Sequence, residues 1–452
     1  MKLNQQEVQH LLLRAGFGDN RQVIGSYIGQ SPELILQKQF ELCNKNTPVQ
    51  IKLPKYEPTP YKELSEIEKQ AIRKEAREQV KALNIEWIKT MASAPSSCQD
   101  KIAMFWHDHF ACSAANGVFL QSYLDTIRGH ALGNFGDMLK AVSKEPAMLQ
   151  YLNNQQNKKS APNENFAREV MELFTLGRDQ GYTEKDISEA ARAFTGWGFD
   201  RTGNFKFRQM VHDNNSKVVF GQTGNFDGDD ILDMLLANKQ TAHYISQKWV
   251  RYFVHSEGNE KLEKKVADAF YSSNYDIKTA LTALFTSPDF YDKKNIGQRI
   301  KSPIELIVSV QRQLHLKIED PSSLLYLQRM QGQVLFNPPN VAGWPDGQDW
   351  VDSATLLFRL HLPQLIFKSA LIQNHPDSSF DDNDAFAIKG RLRALKTDLN
   401  LNELENDFKN KSADDLALFL IQGKWSVDAS AYPTDFIDQI IFLTSKPEYQ
   451  LC

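Results

Sequence analysis

Residues 104–110 concentrate imidazole and carboxyl groups at three consecutive positions, His107, Asp108 and His109. On a β-strand, two histidines separated by one residue would share a face and could bind one metal ion. The surrounding apolar spacing indicates a helix instead, on which residues two apart point about 200° away from each other. We therefore expect His109 to be a buried core histidine, or one of the two histidines to be a metal ligand or acid–base group.

A second group of charged side chains lies in residues 161–177, where the pattern predicts a helix that begins at an asparagine cap and ends at a glycine. Arg168, Glu169 and Glu172 lie on or near one face of this helix. Glu169 and Glu172 are three residues apart, close enough to share a cation or a proton. The alternative is an arginine–glutamate network on the surface or between helices.

Two irregular segments add further candidates. His212 and Asp213 lie in the turn of a predicted hairpin, and loops carry many functional sites, so either a functional or a structural role is open for His212. Residues 337–350, the Pro/Trp loop, contain three prolines, two glycines and two tryptophans. That composition excludes regular structure and predicts a rigid loop.

The elements that must position these groups are mostly helices. Val8, Leu11, Leu12 and Ala15 form the apolar face of a first helix, and residues 63–92 predict a long one. Residues 205–221 alternate apolar and polar types around a turn and predict a small β-hairpin. We therefore predict a mainly α fold, a multi-helical globular array with this hairpin. Its expected parts are a main helical domain over 1–370 and a helical extension over 371–452 packed on it.

Composition limits the classes of function. The 452 residues are 41% hydrophobic and 24% charged, with a formal net charge of −4, which is typical of an ordinary globular protein. A nucleic-acid-binding protein would need a basic excess or a basic stripe, so we expect no such partner. No apolar run approaches the roughly 20 residues that span a bilayer, so we expect no membrane-spanning segment.

The cellular compartment stays open. The four cysteines are scattered and form neither a disulfide framework nor a metal-binding spacing, which favours a reducing compartment. The sequence opens without a basic region followed by an apolar one, so no secretory signal is predicted. As it stands the chain is expected to be cytoplasmic, and exported if a signal was removed.

Five segments occur in the order typical of one known family, whereas the common nucleotide-binding, esterase and zinc-protease motifs do not occur. The segments are Leu-Leu-Leu-Arg-Ala-Gly-Phe-Gly from position 11, Phe-Trp-His-Asp-His-Phe from 105, Asn-Glu-Asn-Phe-Ala-Arg-Glu-Val-Met-Glu-Leu-Phe-Thr-Leu-Gly from 163, Ala-Ala-Arg-Ala-Phe-Thr-Gly-Trp from 190 and Asn-Pro-Pro-Asn-Val-Ala-Gly-Trp-Pro from 337. With them the chain resembles the bacterial domain-of-unknown-function 1800 family, from about residue 8 to about residue 370.

The resemblance implies motifs and a partner but no mechanism, since no reaction is established for the family. Many of its members carry an export signal. The family is often encoded beside a partner that resembles alkaline-phosphatase-type hydrolases. That association implies an exported or envelope pathway that acts on polymers or on phosphate and sulfate esters.

The first functional hypothesis is a metal-assisted hydrolase that acts on a polymer or an anionic ester. A divalent cation would polarise an oxygen or activate a water. Arg168 would hold an anionic group, and His212 would be the mobile acid–base residue. Glu169 is the third expected catalytic residue, through the metal that it helps to bind. The expected metal ligands are His107, His109, Glu169 and Glu172. The expected substrate contacts are Asn163, Asn340, Trp344 and Trp350.

The second hypothesis is a non-catalytic helical binding or assembly protein that works with an alkaline-phosphatase-like partner. In this interpretation the charged cluster is a polar network that fixes helix packing. The Pro/Trp loop is then a docking surface. The sequence leaves open whether the chain is an enzyme, which substrate it would take and which metal it would use.

Overall fold

Helices make up most of the described chain, which confirms the predicted mainly α fold. The structure, a computed structural model, describes residues 1–53, 64–200, 202–367, 395, 397–409, 411–423 and 432–452. Many helices begin at a capping side chain, as at Asn4, Ser65 and Ser302, each paired reciprocally with a glutamate three residues later. The α-helices are α1 (Gln5–Ala15), α2 (Arg21–Tyr27), α3 (Pro32–Cys43), α4 (Glu66–Ser93), α5 (Cys98–His109), α6 (Gly117–His130), α7 (Phe135–Lys144), α8 (Pro146–Tyr151), α9 (Asn165–Glu169), α10 (Glu184–Ala193), α11 (Gly228–Ala237), α12 (Lys239–Phe253), α13 (Glu260–Ser272), α14 (Ile277–Phe285), α15 (Pro303–Gln313), α16 (Pro321–Met330), α17 (Ser353–Phe367), α18 (Leu401–Phe408), α19 (Ala413–Leu420) and α20 (Phe436–Thr444).

The helix predicted over residues 161–177 is not α-helical throughout. It runs as α9 over Asn165–Glu169 and continues as a π-helix over Val170–Thr175. In the wider π turn, Thr175 Oγ1 donates to the Val170 carbonyl at 2.6 Å. π-Helical turns are rare, and they occur frequently at functional sites.

The small β-structure differs from the single hairpin predicted over residues 205–221. The strand at 205–207 pairs with the preceding strand at 197–199. The strand at 217–219 pairs with the following strand at 222–224, through the two-residue turn Phe220–Gly221. Both turn residues have positive φ, 50° and 75°, which gives the tight turn that suits neighbouring strands. The antiparallel pairs are β1 (Trp197–Phe199) with β2 (Phe205–Phe207), β3 (Lys217–Val219) with β4 (Gln222–Gly224), and β5 (Leu316–Ile318) with β6 (Thr397–Leu399).

Helix α5 lies in the middle of the aromatic core. Trp106 is fully buried, and its ring centroid lies 5.4 Å from Phe135 and 5.6 Å from Trp249. Phe105 on the same helix and Phe110, which directly follows the helix, are also buried. Because aromatic rings contribute much of the buried apolar area in a core, this packing fixes both the position and the rotation of α5.

The described C-terminal residues pack on the N-terminal ones. Strand β6 pairs with β5, Leu451 forms a bridge with Ile300, and Gln9 donates to the Phe419 carbonyl at 3.0 Å. The predicted boundary between 1–370 and 371–452 lies outside the described residues, so that division stays a prediction. Among the described helices, none combines the length and the apolar character that crossing a membrane requires.

One buried ion pair ties α5 to two neighbouring helices. Asp100 is fully buried and accepts hydrogen bonds from Trp87 Nε1 at 2.8 Å and from Arg128 Nε at 2.7 Å. Breaking a buried pair leaves the remaining charge without compensation, whereas an exposed pair contributes little. The exposed pair of Lys140 with Asp233 offers a direct comparison.

We predict that Asp100→Asn lowers the free energy of unfolding by about 3 kcal/mol, because the Arg128 guanidinium stays buried without its carboxylate. Asp233→Asn is the control and is expected to cost less than about 1 kcal/mol. Urea denaturation of both variants measures the two values. Equal losses would show that Asp100 acts as an ordinary surface carboxylate.

Candidate functional site

His107, on the last turns of α5, is 1% exposed and has both ring nitrogens occupied. Its Nε2 accepts a hydrogen bond from the Phe336 N–H at 3.0 Å. Its Nδ1 lies 3.3 Å from Tyr123 Oη, and that hydroxyl donates to the Phe110 carbonyl at 2.6 Å. The neutral tautomer with its proton on Nδ1 satisfies all three contacts. Burial lowers the pKa of His107 to about 3, so the ring stays neutral.

Asp108 holds the Pro/Trp loop at a second point. Its Oδ1 accepts a hydrogen bond from the Trp344 N–H at 2.8 Å. Gly343 has φ +92° and lies so close that an added Cβ would be 2.3 Å from Asp108 Oδ1, so the loop needs glycine there. Burial raises the pKa of Asp108 to about 6, and the nearby Lys248 opposes that rise.

His109 points to the other side of α5 and is also 1% exposed. Its Nε2 donates to the Phe174 carbonyl at 3.1 Å, and its Nδ1 accepts from Lys248 Nζ at 3.0 Å. Burial, followed by the Lys248 charge, lowers the pKa of His109 well below its usual value. The bond to Phe174 satisfies a carbonyl of the π-helix, so His109 ties α5 to that helix.

The Arg168 guanidinium is shared among three carboxylates. It lies 2.6 Å from Glu184, 3.2 Å from Glu164 and 3.3 Å from Glu172. Arg178 adds a second cation 3.5 Å from Glu172. This is the arginine–glutamate network that the sequence offered as the alternative to a catalytic cluster, and it leaves Arg168 committed to protein carboxylates.

Glu169 differs from its neighbours. It is partly buried at the junction of α9 and the π-helix, and it forms no hydrogen bond or ion pair with the described residues. Burial, followed by the charge of Glu172, raises its pKa above the usual value. Glu169 is therefore the carboxyl group of this segment that keeps its bonding capacity.

The structure does not bring the four predicted metal ligands together. His107 and His109 bond to different elements on different sides of α5, and Glu172 is engaged by two arginines. Within the described ranges, no group of three or more His, Cys, Asp or Glu side chains is arranged to hold a metal ion. A site that uses all four residues would need a rearrangement of α5, so it stays a prediction without geometric support.

His212 is 4% exposed and is not placed at an open surface. Its Nδ1 lies 2.8 Å from the Thr195 carbonyl, and its ring packs edge-on against Phe207. The adjacent Asp213 is paired with Arg192 at 2.7 Å. The geometry gives this histidine a structural position beneath the first hairpin.

A surface groove of about 430 Å³ lies beside the Pro/Trp loop. Trp344, 9% exposed, lines it, whereas Trp350 is 4% exposed and faces the interior. Asn340 caps a turn by accepting from the Ala342 N–H at 2.8 Å, and Asn163 accepts from Asn165 N–H at 3.0 Å. The groove is lined by Arg329, Gly332, Val334, Asn337, Pro338, Pro339 and Trp344.

Of the predicted substrate contacts, Trp344 is the one found in the lining of this groove. Sequence reasoning did not find Arg329, Tyr123 or Lys248. Each stands in an ordinary helical pattern, and its role depends on neighbours that are distant in the chain. No local signal in the sequence distinguishes them.

Comparison with known protein families places the chain. Residues 10–451 match the family described as protein of unknown function DUF1800. The chain belongs to the DUF1800 family. Searches of curated proteins and of solved structures found no significant match. For this DUF1800 chain, the candidate site is therefore described by the structure alone, through the groove and the hydrogen bonds of α5.

We predict that Asp108→Asn gains stability relative to the unsubstituted chain as pH rises from about 4 to about 7. The folded pKa of about 6 lies above the ordinary value of 3.8, so the folded state binds the proton more tightly. The stability that protonated Asp108 contributes to the unsubstituted chain is thus present below about pH 4 and is lost as pH rises through 6, whereas asparagine does not titrate. Denaturation of both proteins across this range measures the difference.

The control for Asp108→Asn is Asp349→Asn, which removes an exposed carboxylate from the same loop. A constant stability difference between the Asp108 variant and the unsubstituted chain across the range would contradict the assigned environment of Asp108.

Proposed function

We propose that this DUF1800 chain is a non-catalytic binding protein whose groove beside the Pro/Trp loop docks an extended segment of a protein partner. One observation carries the proposal: His107 accepts a backbone hydrogen bond from Phe336, immediately before the Pro/Trp loop, and Asp108 accepts one from Trp344 within it. The groove wall is thereby fixed before any partner arrives. A preorganised surface binds with a smaller entropy cost than one that must order on contact.

The lining of the groove suits an extended polypeptide. Pro338 and Pro339 have fixed φ angles and no N–H group, so their contribution is a rigid apolar surface. Trp344 adds an aromatic edge, and Pro-rich and aromatic surfaces commonly recognise extended chains. The Arg329 guanidinium, which already has a partner within the chain, lies in the same lining and adds a positive charge that favours an acidic residue in the bound segment.

The hydrogen bonds and ion pairs of the other candidate side chains support the same proposal. The side chains that the metal hypothesis would use are mostly bonded to backbone or to each other, as for His107, His109 and Arg168. A catalytic group must be free to exchange protons or bind a ligand. The partner that we propose is the alkaline-phosphatase-type protein implied by the family resemblance.

We predict that Arg329→Glu weakens binding to that partner at least tenfold, because the substitution reverses the charge in the lining. A tenfold loss corresponds to about 1.4 kcal/mol. Asn337→Trp, at an exposed lining position, fills the groove and is expected to have the same effect through steric exclusion. Surface plasmon resonance with the purified alkaline-phosphatase-type protein measures both.

Arg77→Glu on α4 is the matched control, since Arg77 is exposed and lies outside the groove lining. It reverses an arginine charge in the same way and should leave the affinity unchanged. If neither groove variant alters the affinity, or if the unsubstituted chain does not bind the partner, the docking proposal is wrong.

The second candidate function is the metal-assisted hydrolase, and Glu169 favours it. Its partly buried carboxyl group has no hydrogen bond or ion pair with the described residues and lies beside Glu172 at the start of a π-helix. Carboxylates three residues apart can share a divalent cation, with water or substrate as the further ligands.

We predict for this second candidate that a divalent cation raises the melting temperature and that Glu169→Gln abolishes the increase. Elemental analysis and melting with and without a chelator measure the effect. Glu164→Gln, which removes a neighbouring carboxylate of the Arg168 network, is the control and should keep the response. A melting temperature that no divalent cation alters would rule this function out.

A further inference from the structure

Five cationic side chains meet in the interior, where α1, α5, α15 and α17 come together. Each is at most 4% exposed, and the Glu305 carboxylate acts electrostatically on every one of them. Because all five side chains interact with the same Glu305 carboxylate, they belong to one charged group. The five residues, named here the buried cationic cluster, are Arg14, Lys101, Arg299, Lys301 and Arg359.

Among the residues that the structure describes, the anions near the cluster do not balance this charge. Glu305 is 3% exposed and accepts hydrogen bonds from both Lys101 and Arg299. Arg14 donates to an oxygen of Cys452 at 2.5 Å. Even when the carboxyl group of Cys452 is counted, five cations face two buried carboxylates. The exposed Asp346 carboxylate acts on Arg14 and Arg299 only from the surface.

Burial is the largest cause of the lowered pKa values of four of these cations. Burial lowers the pKa of Lys101 and of Lys301 to about 8, although Glu305 raises both. Burial also lowers the pKa of Arg14 and of Arg359 to about 10. Buried charges without partners are costly, so this centre favours an additional anion.

Unpaired donors lie within the same cluster. The Nε of Arg14, the Nε and Nη1 of Arg299 and the Nη1 of Arg359 are buried and have no hydrogen-bond partner among the described residues. Gln450 Nε2, whose side-chain oxygen accepts from Arg359 Nε, is a further buried donor of this kind. Buried polar groups in proteins are nearly always paired, so several orphaned donors in one centre indicate a ligand.

We propose that the buried cationic cluster binds one small inorganic oxyanion, phosphate or sulfate, among Arg14, Arg299 and Arg359. Guanidinium groups present several N–H donors in a planar fork that matches the oxygens of phosphate and sulfate. A bound dianion satisfies the orphaned donors and also offsets the excess positive charge, whereas water would satisfy only the donors. The site is separate from the Pro/Trp loop groove and from Glu169, and its existence does not depend on either proposed function.

Direct anion analysis of the full chain tests the proposal. After purification without phosphate or sulfate in any buffer, acid precipitation followed by ion chromatography should release phosphate or sulfate in a stoichiometric amount. For protein that has been stripped by dialysis under mild denaturant and refolded, either anion should raise the melting temperature by several degrees. Chloride at the same ionic strength should not. The tighter of the two oxyanions identifies the natural occupant.

Arg299→Lys separates anion binding from general stability. Lysine keeps the positive charge that pairs with Glu305 but removes the Nε and Nη1 donors, so the melting shift with phosphate or sulfate should fall by at least half. Arg312→Lys is the matched control, because Arg312 is also buried and its guanidinium bonds to the Gly18 and Ala94 carbonyls and to Asp19. It should lower the melting temperature equally with and without the oxyanion.

Two results would overturn the proposal. One is that the purified chain releases no oxyanion and that phosphate and sulfate shift the melting temperature no more than chloride. The other is that Arg299→Lys and Arg312→Lys retain the same oxyanion response. The anion analysis needs no variant, so the proposal stays testable if Arg299→Lys does not fold.

Discussion

One turn of α5 holds the structure around the groove together. Its three consecutive polar residues bond to backbone groups of two distant segments. His107 and Asp108 bond to Phe336, at the start of the Pro/Trp loop, and to Trp344 within it, and His109 bonds to the π-helix through the Phe174 carbonyl. The aromatic packing of Trp106 fixes the rotation of the helix. A small rotation of α5 would break all three bonds together, and each broken bond would leave a buried polar group unsatisfied at a cost of about 1–3 kcal/mol.

This arrangement explains why residues suited to catalysis are used to hold backbone. An irregular loop rich in proline has few internal hydrogen bonds, so its buried N–H groups need acceptors from elsewhere. A neutral imidazole and a carboxylate are acceptors that reach such groups from a helix. The π-helix presents the Phe174 carbonyl, which needs a donor, and the N–H of His109 supplies it. Imidazole serves both purposes because one ring carries a donor and an acceptor.

The sequence predicted the elements of the fold better than their connections. Helical periodicity located α4 and α5, because an apolar stripe is a local property of the chain. The π-helix was not predicted, since its apolar spacing over Val170–Thr175 resembles that of an α-helix. The hairpin near 205–221 was located but paired wrongly, because three-residue strands carry too little alternation to specify a partner.

The candidate site was less predictable than the fold, for a physical reason. Residue types reveal which groups can accept, donate or ligate, but burial and competing partners determine which of them remain available. Glu172 had the right type and spacing to share a cation with Glu169, and Arg168 to hold an anionic group, yet Glu184, Glu164 and Arg178 engage them. Glu169, identical in type to Glu172 and one helical turn away, is left without such a partner among the residues that the structure describes.

The interior and the surface of this protein therefore use charge differently. Around α9 the charges of the Arg168 network are partly exposed and pair with each other, so this network needs nothing from outside the chain. Around Glu305 the described cations outnumber the described carboxylates in a place that water reaches poorly. Their uncompensated positive charge destabilises the fold unless an anion binds there. The groove lies between these extremes, with one guanidinium on a rigid apolar wall. In the proposed docking function, the positive charge of this guanidinium would favour an acidic segment without the desolvation cost of a buried charge, which is the balance that a reversible docking surface requires.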